Sequence, residues 1–97
     1  MPDIDPMPDI DPMPDIEMYT QPSCPYCSRA RALLESKGAA FHEISAPPGS
    51  PERQESSRRA GGRSSVPQVF IGGSHIGGCD DLVALDQAGK LDALLAA

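Results

Sequence analysis

No apolar stretch in these 97 residues approaches the roughly 18 that a membrane span requires, so nothing in the chain reads as a transmembrane helix. The N-terminus also lacks the basic region and apolar run of a secretory signal. Basic residues are few, 8 against 14 acidic ones, and the formal net charge of −6 argues against a nucleic-acid binder driven by phosphate neutralisation. Without an export signal the expected compartment is the cytoplasm, where thiols are kept reduced. A close pair among only three cysteines then points to redox catalysis or metal binding before a structural staple. At this length there is room for one small core and none for a second catalytic module.

The charge is unevenly spread. Residues 1–12 hold four aspartates and no base, which leaves residues 13–97 at −2. The opening MPDIDP (1–6) repeats unchanged over 7–12, and a third copy begins as MPDIEM (13–18) before the pattern dissolves. A period of six is too short for a solenoid unit, and its prolines remove donors and favour extended geometry, so residues 1–14 are expected to form a disordered tail. Asp3, Asp5, Asp9 and Asp11 resemble a loose divalent-cation site but lack the glycine turn and further oxygen ligands that calcium requires. The plainer reading is a duplicated start, with Met13 as the original first residue.

The body, 15–97, reads as one domain. From Asp15 to Thr20, Ile16 and Met18 alternate with Glu17 and Tyr19, as in a strand with one buried face. QPSCPYC follows, and Pro25 suits the first position of a helix whose apolar stripe runs from Cys27 through Ala30, Leu33 and Leu34 until Gly38. Phe41 to Ile44 is a short strand. Residues 52–60 have helix-compatible charges, but only Ala60 is apolar, so a helix there is expected to be weakly anchored, with Arg58, Arg59 and Arg63 either solvated or partners for carboxylates. Gln68 to Ile71 is a buried strand, and His75 and Ile76 return from a turn at 72–74 to make a hairpin; His42 and His75 have no companion that suggests a base. A helix then starts at Cys79, with Asp80 and Asp81 in its first turn, and Leu91, Leu94 and Leu95 mark a last one. The order β α β α β β α α describes an α/β fold, a four-stranded mixed sheet flanked by helices.

Cys24 falls at the N-terminus of the first helix, where partial positive charge and unpaired N–H groups favour thiolates. Cys27, one turn on, is close enough for a disulfide but more buried. That asymmetry assigns the roles: Cys24 attacks a substrate disulfide and Cys27 resolves the mixed disulfide. Zinc sites use the same spacing, yet a closed one needs two more ligands, and only Cys79, His75 and His42 are available without a second pair, so no metal is expected.

Three separated motifs, CPYC (24–27), SVP (65–67) and GGCDD (77–81), agree in order and spacing with the bacterial dithiol glutaredoxins, which the chain resembles over about residues 15–97. The resemblance implies a thioredoxin-like fold, a cis Val66–Pro67 bond and a groove for glutathione as co-substrate. In that groove Ser65, Val66 and Pro67 flank Cys24, and Val66 pairs with the cysteinyl part of glutathione like an added strand. Gly78 leads into a helix start whose N–H groups at Cys79 and Asp80 take the γ-glutamyl carboxylate, while Asp81 takes the ammonium. Tyr26 either packs against the sulfur side of the groove or is exposed filler. Relatives commonly carry lysine at the position of Gln21, expected to attract the glycyl carboxylate; glutamine donates a hydrogen bond without charge. Cys79 is either a small packed residue whose backbone matters or a third redox thiol.

The function expected is that of a monomeric glutathione-dependent thiol–disulfide oxidoreductase, acting on disulfide-containing or glutathionylated proteins, with ribonucleotide reductase as a candidate partner. Two rivals stand beside it. One is a redoxin recharged by thioredoxin reductase, against which GGCDD argues. The other is an iron–sulfur module ligated by Cys24 and glutathione, which the stiffening Pro25 disfavours.

Overall fold

The structure, a computed structural model, describes residues 15–96. The repeated tail of residues 1–14, with its duplicated-start and cation-site readings, lies outside the described residues. In chain order the elements are β1 (Ile16–Thr20), α1 (Pro25–Ser36), β2 (His42–Ser45), α2 (Pro51–Arg59), β3 (Gln68–Ile71), β4 (Ser74–Gly77), α3 (Cys79–Gln87) and α4 (Lys90–Ala96). The strands form one sheet in the order β2-β1-β3-β4. β1 runs parallel to β2, with Glu17 opposite His42, and antiparallel to β3, with Met18 opposite Val69. β3 and β4 make the expected hairpin. This is the four-stranded mixed sheet read from the order of elements, in the thioredoxin-like arrangement that the family resemblance implies.

Alternation in β1 and β3 divides the core between two sheet faces. Ile16, Met18, Val69 and Ile71 pack with Ala30 and Leu34 of α1, Cys79 and Leu82 of α3, and Leu91 and Leu95 of α4. Lys37, at the end of α1, reaches Asp86 at 2.6 Å and Asp92 at 3.0 Å and so clips α1 to the other helices of that layer. On the opposite face Tyr19 and Phe70 pack with Ala46 and Ala60. The expectation of a single buried face on β1 is therefore corrected: Tyr19 is buried as well, because α2 covers the second side.

The expectation of a weakly anchored 52–60 segment is also corrected. Ser50 caps α2 by accepting the Arg53 N–H at 3.1 Å, Pro51 occupies the first turn, and Arg58 and Arg59 close the last one against the helix dipole. The anchor is an arginine. Arg59 lays its guanidinium over the Phe70 ring, 4.1 Å from the centroid, and donates to Glu17 at 2.8 Å and to the Tyr19 hydroxyl at 2.9 Å. Stacking on an aromatic at a partly desolvated site contributes roughly 1–2 kcal/mol, and the aliphatic stem adds packing that a hydropathy count misses. Arg58, by contrast, pairs with Glu55 on the surface.

Ser56, on the inner side of α2, is buried at 1 % exposure, and its Oγ has no hydrogen-bond partner. An unpaired buried hydroxyl opposes folding, and alanine is the better helix former. Ser56→Ala is expected to stabilise the protein by about 1 kcal/mol, read as a higher urea midpoint at unchanged slope. A lower midpoint would show that the hydroxyl is satisfied in solution.

Candidate active site

β1 ends at Thr20, and the chain turns through Pro22 and Ser23 before α1 begins. Ser23 adopts a left-handed φ of 60°, sparsely populated for a residue with a side chain, and this turn brings Cys24 to the N-cap in an extended conformation. Pro25, the first helical residue, needs no hydrogen-bond acceptor. The Cys27 N–H donates to Cys24 Sγ at 3.2 Å, so the sulfur itself caps the helix. Such a bond strengthens when its acceptor carries negative charge.

The two thiols differ in their surroundings. Cys24 is half-buried and Cys27 is buried. Burial, followed by the hydrogen bond with Cys24, pushes the Cys27 thiol up to about 12. Cys27 is thus held protonated near neutral pH while Cys24 faces the surface.

Clefts open on both sides of this turn and share no lining residue. The smaller, about 140 Å³, is lined by Tyr26, Arg63, Ser65, Val66, Pro67, Gly78, Cys79, Asp80 and Asp81. Every residue assigned to the glutathione groove from sequence, Gln21 excepted, falls here. The Val66–Pro67 bond is cis, and the Val66 carbonyl oxygen lies 4.0 Å from Cys24 Sγ. Gln21 lines the larger cleft, about 670 Å³, with Cys24, Ser28, Arg31 and Glu43 among others.

At the far wall of the smaller cleft, Gly78 caps α3 and donates its N–H to Asp81 Oδ2 at 3.0 Å; Arg63 donates to the same oxygen at 3.2 Å. That backbone donor, then the guanidinium, holds the Asp81 carboxyl below its ordinary range. Asp81 Oδ1 has no partner among the described residues, and the first N–H groups of α3 precede any intrahelical acceptor. The wall therefore offers N–H donors for a carboxylate beside a carboxylate oxygen for an ammonium.

The glutaredoxin family model matches residues 16–76. This chain belongs to the glutaredoxin family. It is 54 % identical to glutaredoxin 3 of Escherichia coli over 79 residues, covering 81 % of this chain and 94 % of that protein, and 54 % identical to a Pseudomonas aeruginosa glutaredoxin over 80 residues, covering 82 % and 94 %. A Brucella melitensis glutaredoxin solved in solution superposes with a TM-score of 0.76 at 56 % identity, over 88 % of this chain and 91 % of that one. A buckwheat glutaredoxin–glutathione complex superposes at 0.75 with 33 % identity, over 88 % and 78 %. As a glutaredoxin the protein is a thiol–disulfide oxidoreductase.

Several polar residues of this glutaredoxin are accounted for by local partners. The Cys79 side chain is buried among the core residues, and that burial raises its thiol. His75 shares a 2.7 Å hydrogen bond with Gln68 Oε1 and stacks near Phe70, while His42 is exposed. Tyr26 is 55 % exposed at the cleft mouth. Sequence reasoning missed the Arg31–Glu43 pair, 2.9 Å from Nε to Oε1, and missed Arg53, whose guanidinium reaches Gln21 from α2. Both contacts join separate elements and leave no mark in local spacing.

Proposed function

We propose that this glutaredoxin is glutathione-dependent and reduces glutathionylated proteins and protein disulfides, with Cys24 as nucleophile and Cys27 as resolving thiol. The smaller cleft beside Cys24 carries the reading: it sets the backbone of Val66, ahead of a cis peptide bond, opposite a helix start with N–H donors and the free Oδ1 of Asp81. An extended tripeptide with one amino-terminal zwitterion fits that pattern. The glutathione complex of the buckwheat relative supports it.

Ionised Cys24 attacks the glutathionyl sulfur of a mixed disulfide. The S–S bond breaks, the protein leaves as a thiolate that takes a proton from water, and Cys24 holds glutathione. A second glutathione thiolate attacks the bound glutathione sulfur, releasing oxidised glutathione and restoring Cys24. With a protein disulfide, Cys24 first forms a bond to one substrate sulfur as the substrate S–S bond breaks, and the other sulfur leaves as a thiolate that takes a proton from water. Cys27 then attacks Cys24 Sγ, its proton leaving with the second substrate thiol, and the substrate has gained two electrons. Two glutathiones return the Cys24–Cys27 disulfide to thiols.

Titrating the reduced protein with glutathione is expected to shift the amide resonances of Val66, Asp80 and Asp81 first. Turnover is expected with glutathione and glutathione reductase, and little with thioredoxin reductase. Resonance shifts that spare those three positions would overturn the assignment of the cleft, and faster recharging by thioredoxin reductase would overturn the reductant.

A further inference from the structure

Gln68 opens β3 at 0 % exposure, yet it lines neither cleft and has no part in the chemistry above. A buried amide must find partners for two N–H donors and an oxygen. Nε2 donates to the Ser65 carbonyl at 3.0 Å and to Ser65 Oγ at 3.3 Å, and Oε1 lies 2.7 Å from His75 Nε2. The Ser65 carbonyl decides which way round the amide sits, since it accepts and would repel Oε1 in the flipped arrangement. Oε1 therefore faces His75. An amide oxygen can only accept, so His75 Nε2 carries a proton. The β3–β4 hairpin holds the imidazole in place by setting His75 opposite Phe70, with ring centroids 5.1 Å apart.

What this chain of bonds fixes is one peptide plane. The Ser65 carbonyl and the Val66 N–H belong to the same planar unit, which is trans, so the two point in opposite directions. With the carbonyl drawn inward to Gln68, the Val66 N–H is turned outward, and it has no partner among the described residues. Val66 lines the smaller cleft, so this free donor is presented to a ligand there. A donor aimed in advance loses little freedom on binding, whereas a peptide unit free to rotate must be ordered by the ligand. Resting on the glutathione reading above, we infer that Gln68, braced by His75, is a positioning residue that aims the Val66 N–H at the cysteinyl unit of glutathione. Both side chains lie outside the cleft lining and act through Ser65.

The test follows reduction of a mixed disulfide between glutathione and a small thiol. Gln68→Met keeps the length of the side chain and removes the donor to Ser65. It is expected to raise KM for this substrate about tenfold, the size of one broken buried hydrogen bond, with kcat nearly unchanged. Alkylation of Cys24 by iodoacetamide, which needs no groove, is expected to keep its wild-type rate. Position 68 is buried, so a second pair of variants reads the same chain of bonds from its exposed end and decides the matter should Gln68→Met fail to fold. His75→Phe keeps a ring against Phe70 without the Nε2 donor and is expected to raise KM about threefold. His75→Gln returns an amide donor at similar reach and restores the wild-type KM. In alkaline buffer the nitrogen-15 spectrum of the His75 ring is expected to place the proton on Nε2. An unchanged KM in Gln68→Met and His75→Phe, no recovery in His75→Gln, an equal fall in Cys24 alkylation, or a ring proton on Nδ1 overturns the inference. A wild type that reduces this substrate no faster than a mixed disulfide lacking glutathione removes the glutathione reading itself, and the inference with it.

Discussion

Cys24→Ser is expected to lose thiol–disulfide turnover by on the order of 10⁴-fold or more, the scale on which removing a nucleophile acts. The variant is expected to melt close to the wild type. Serine is among the preferred N-cap residues, and its Oγ accepts the Cys27 N–H that Cys24 Sγ accepts at 3.2 Å, so the helix start survives the change. The loss is then chemical. Cys27 cannot take over as nucleophile, because its burial, the largest cause of its raised thiol pKa, survives the substitution, disfavours the thiolate and keeps the sulfur from a substrate. Cys27→Ser separates the two reactions. Reduction of a glutathionylated protein continues, since a second glutathione can release Cys24, whereas reduction of an intramolecular protein disulfide falls to the level of the blank. The two variants are compared on both substrates, together with thermal melts. Full activity of Cys24→Ser on the glutathione mixed disulfide would exclude Cys24 as the attacking group.

The parts of this molecule that were legible in the sequence are those written in short-range chemistry. Alternation marked β1, a short buried run before a glycine turn marked β3, Pro25 and Gly38 bracketed α1, and the glycines at 72 and 73 announced the hairpin. Element boundaries moved by a residue or so, as at β2, which runs His42–Ser45 and not Phe41–Ile44. What stayed hidden depends on which surface a residue meets. α2 looked unanchored because its apolar contact is made by the stem and planar head of Arg59 on Phe70, and a charged letter in the sequence does not announce that use. Tyr19 looked solvent-facing for the same reason, since the element that covers it was the one underestimated. At the site, Cys24 and Cys27 were readable from a helix start alone. The meeting of Val66 with Gly78, Cys79, Asp80 and Asp81 in one cleft came from the family resemblance, because no spacing rule joins segments that distant. Arg53 was beyond either route.

Gly77→Ala is expected to be the most disruptive single methyl addition near the site. Gly77 ends β4 at a φ of +122°, and a Cβ there would lie 2.2 Å from Asp81 Oδ2 and 2.8 Å from Asp81 Cβ. The first atom belongs to a carboxylate that can swing away, but the Cβ is fixed by the backbone of α3, so rotation alone does not relieve the contact. Three penalties add: a backbone conformation unsuited to an L side chain, the displacement of α3 against β4, and loss of the Asp81 bond to the Gly78 N–H. Together they amount to roughly 3–5 kcal/mol, a large share of the 5–15 kcal/mol that holds a domain of this size folded. At about 4–8 °C per kcal/mol for so small a domain, the midpoint falls by at least ~12 °C. The fraction still folded is expected to bind glutathione poorly, because Asp81 and the helix start both move. Asp81→Gly, which deletes all three clashing atoms, separates steric from conformational cost: Gly77→Ala made in that background retains only the φ penalty and destabilises by less than half as much. Equal destabilisation in the two backgrounds would show that Asp81 is not what position 77 makes room for. Asp81→Asn keeps an oxygen for the Gly78 N–H and removes the charge, so it is expected to fold nearly normally and weaken glutathione binding. The Asp81 carboxyl titrates below its ordinary value, so the cap it forms is fully present above about pH 4 and is lost as pH falls through that depressed value. In Asp81→Asn, stability should lose that part of its acid dependence.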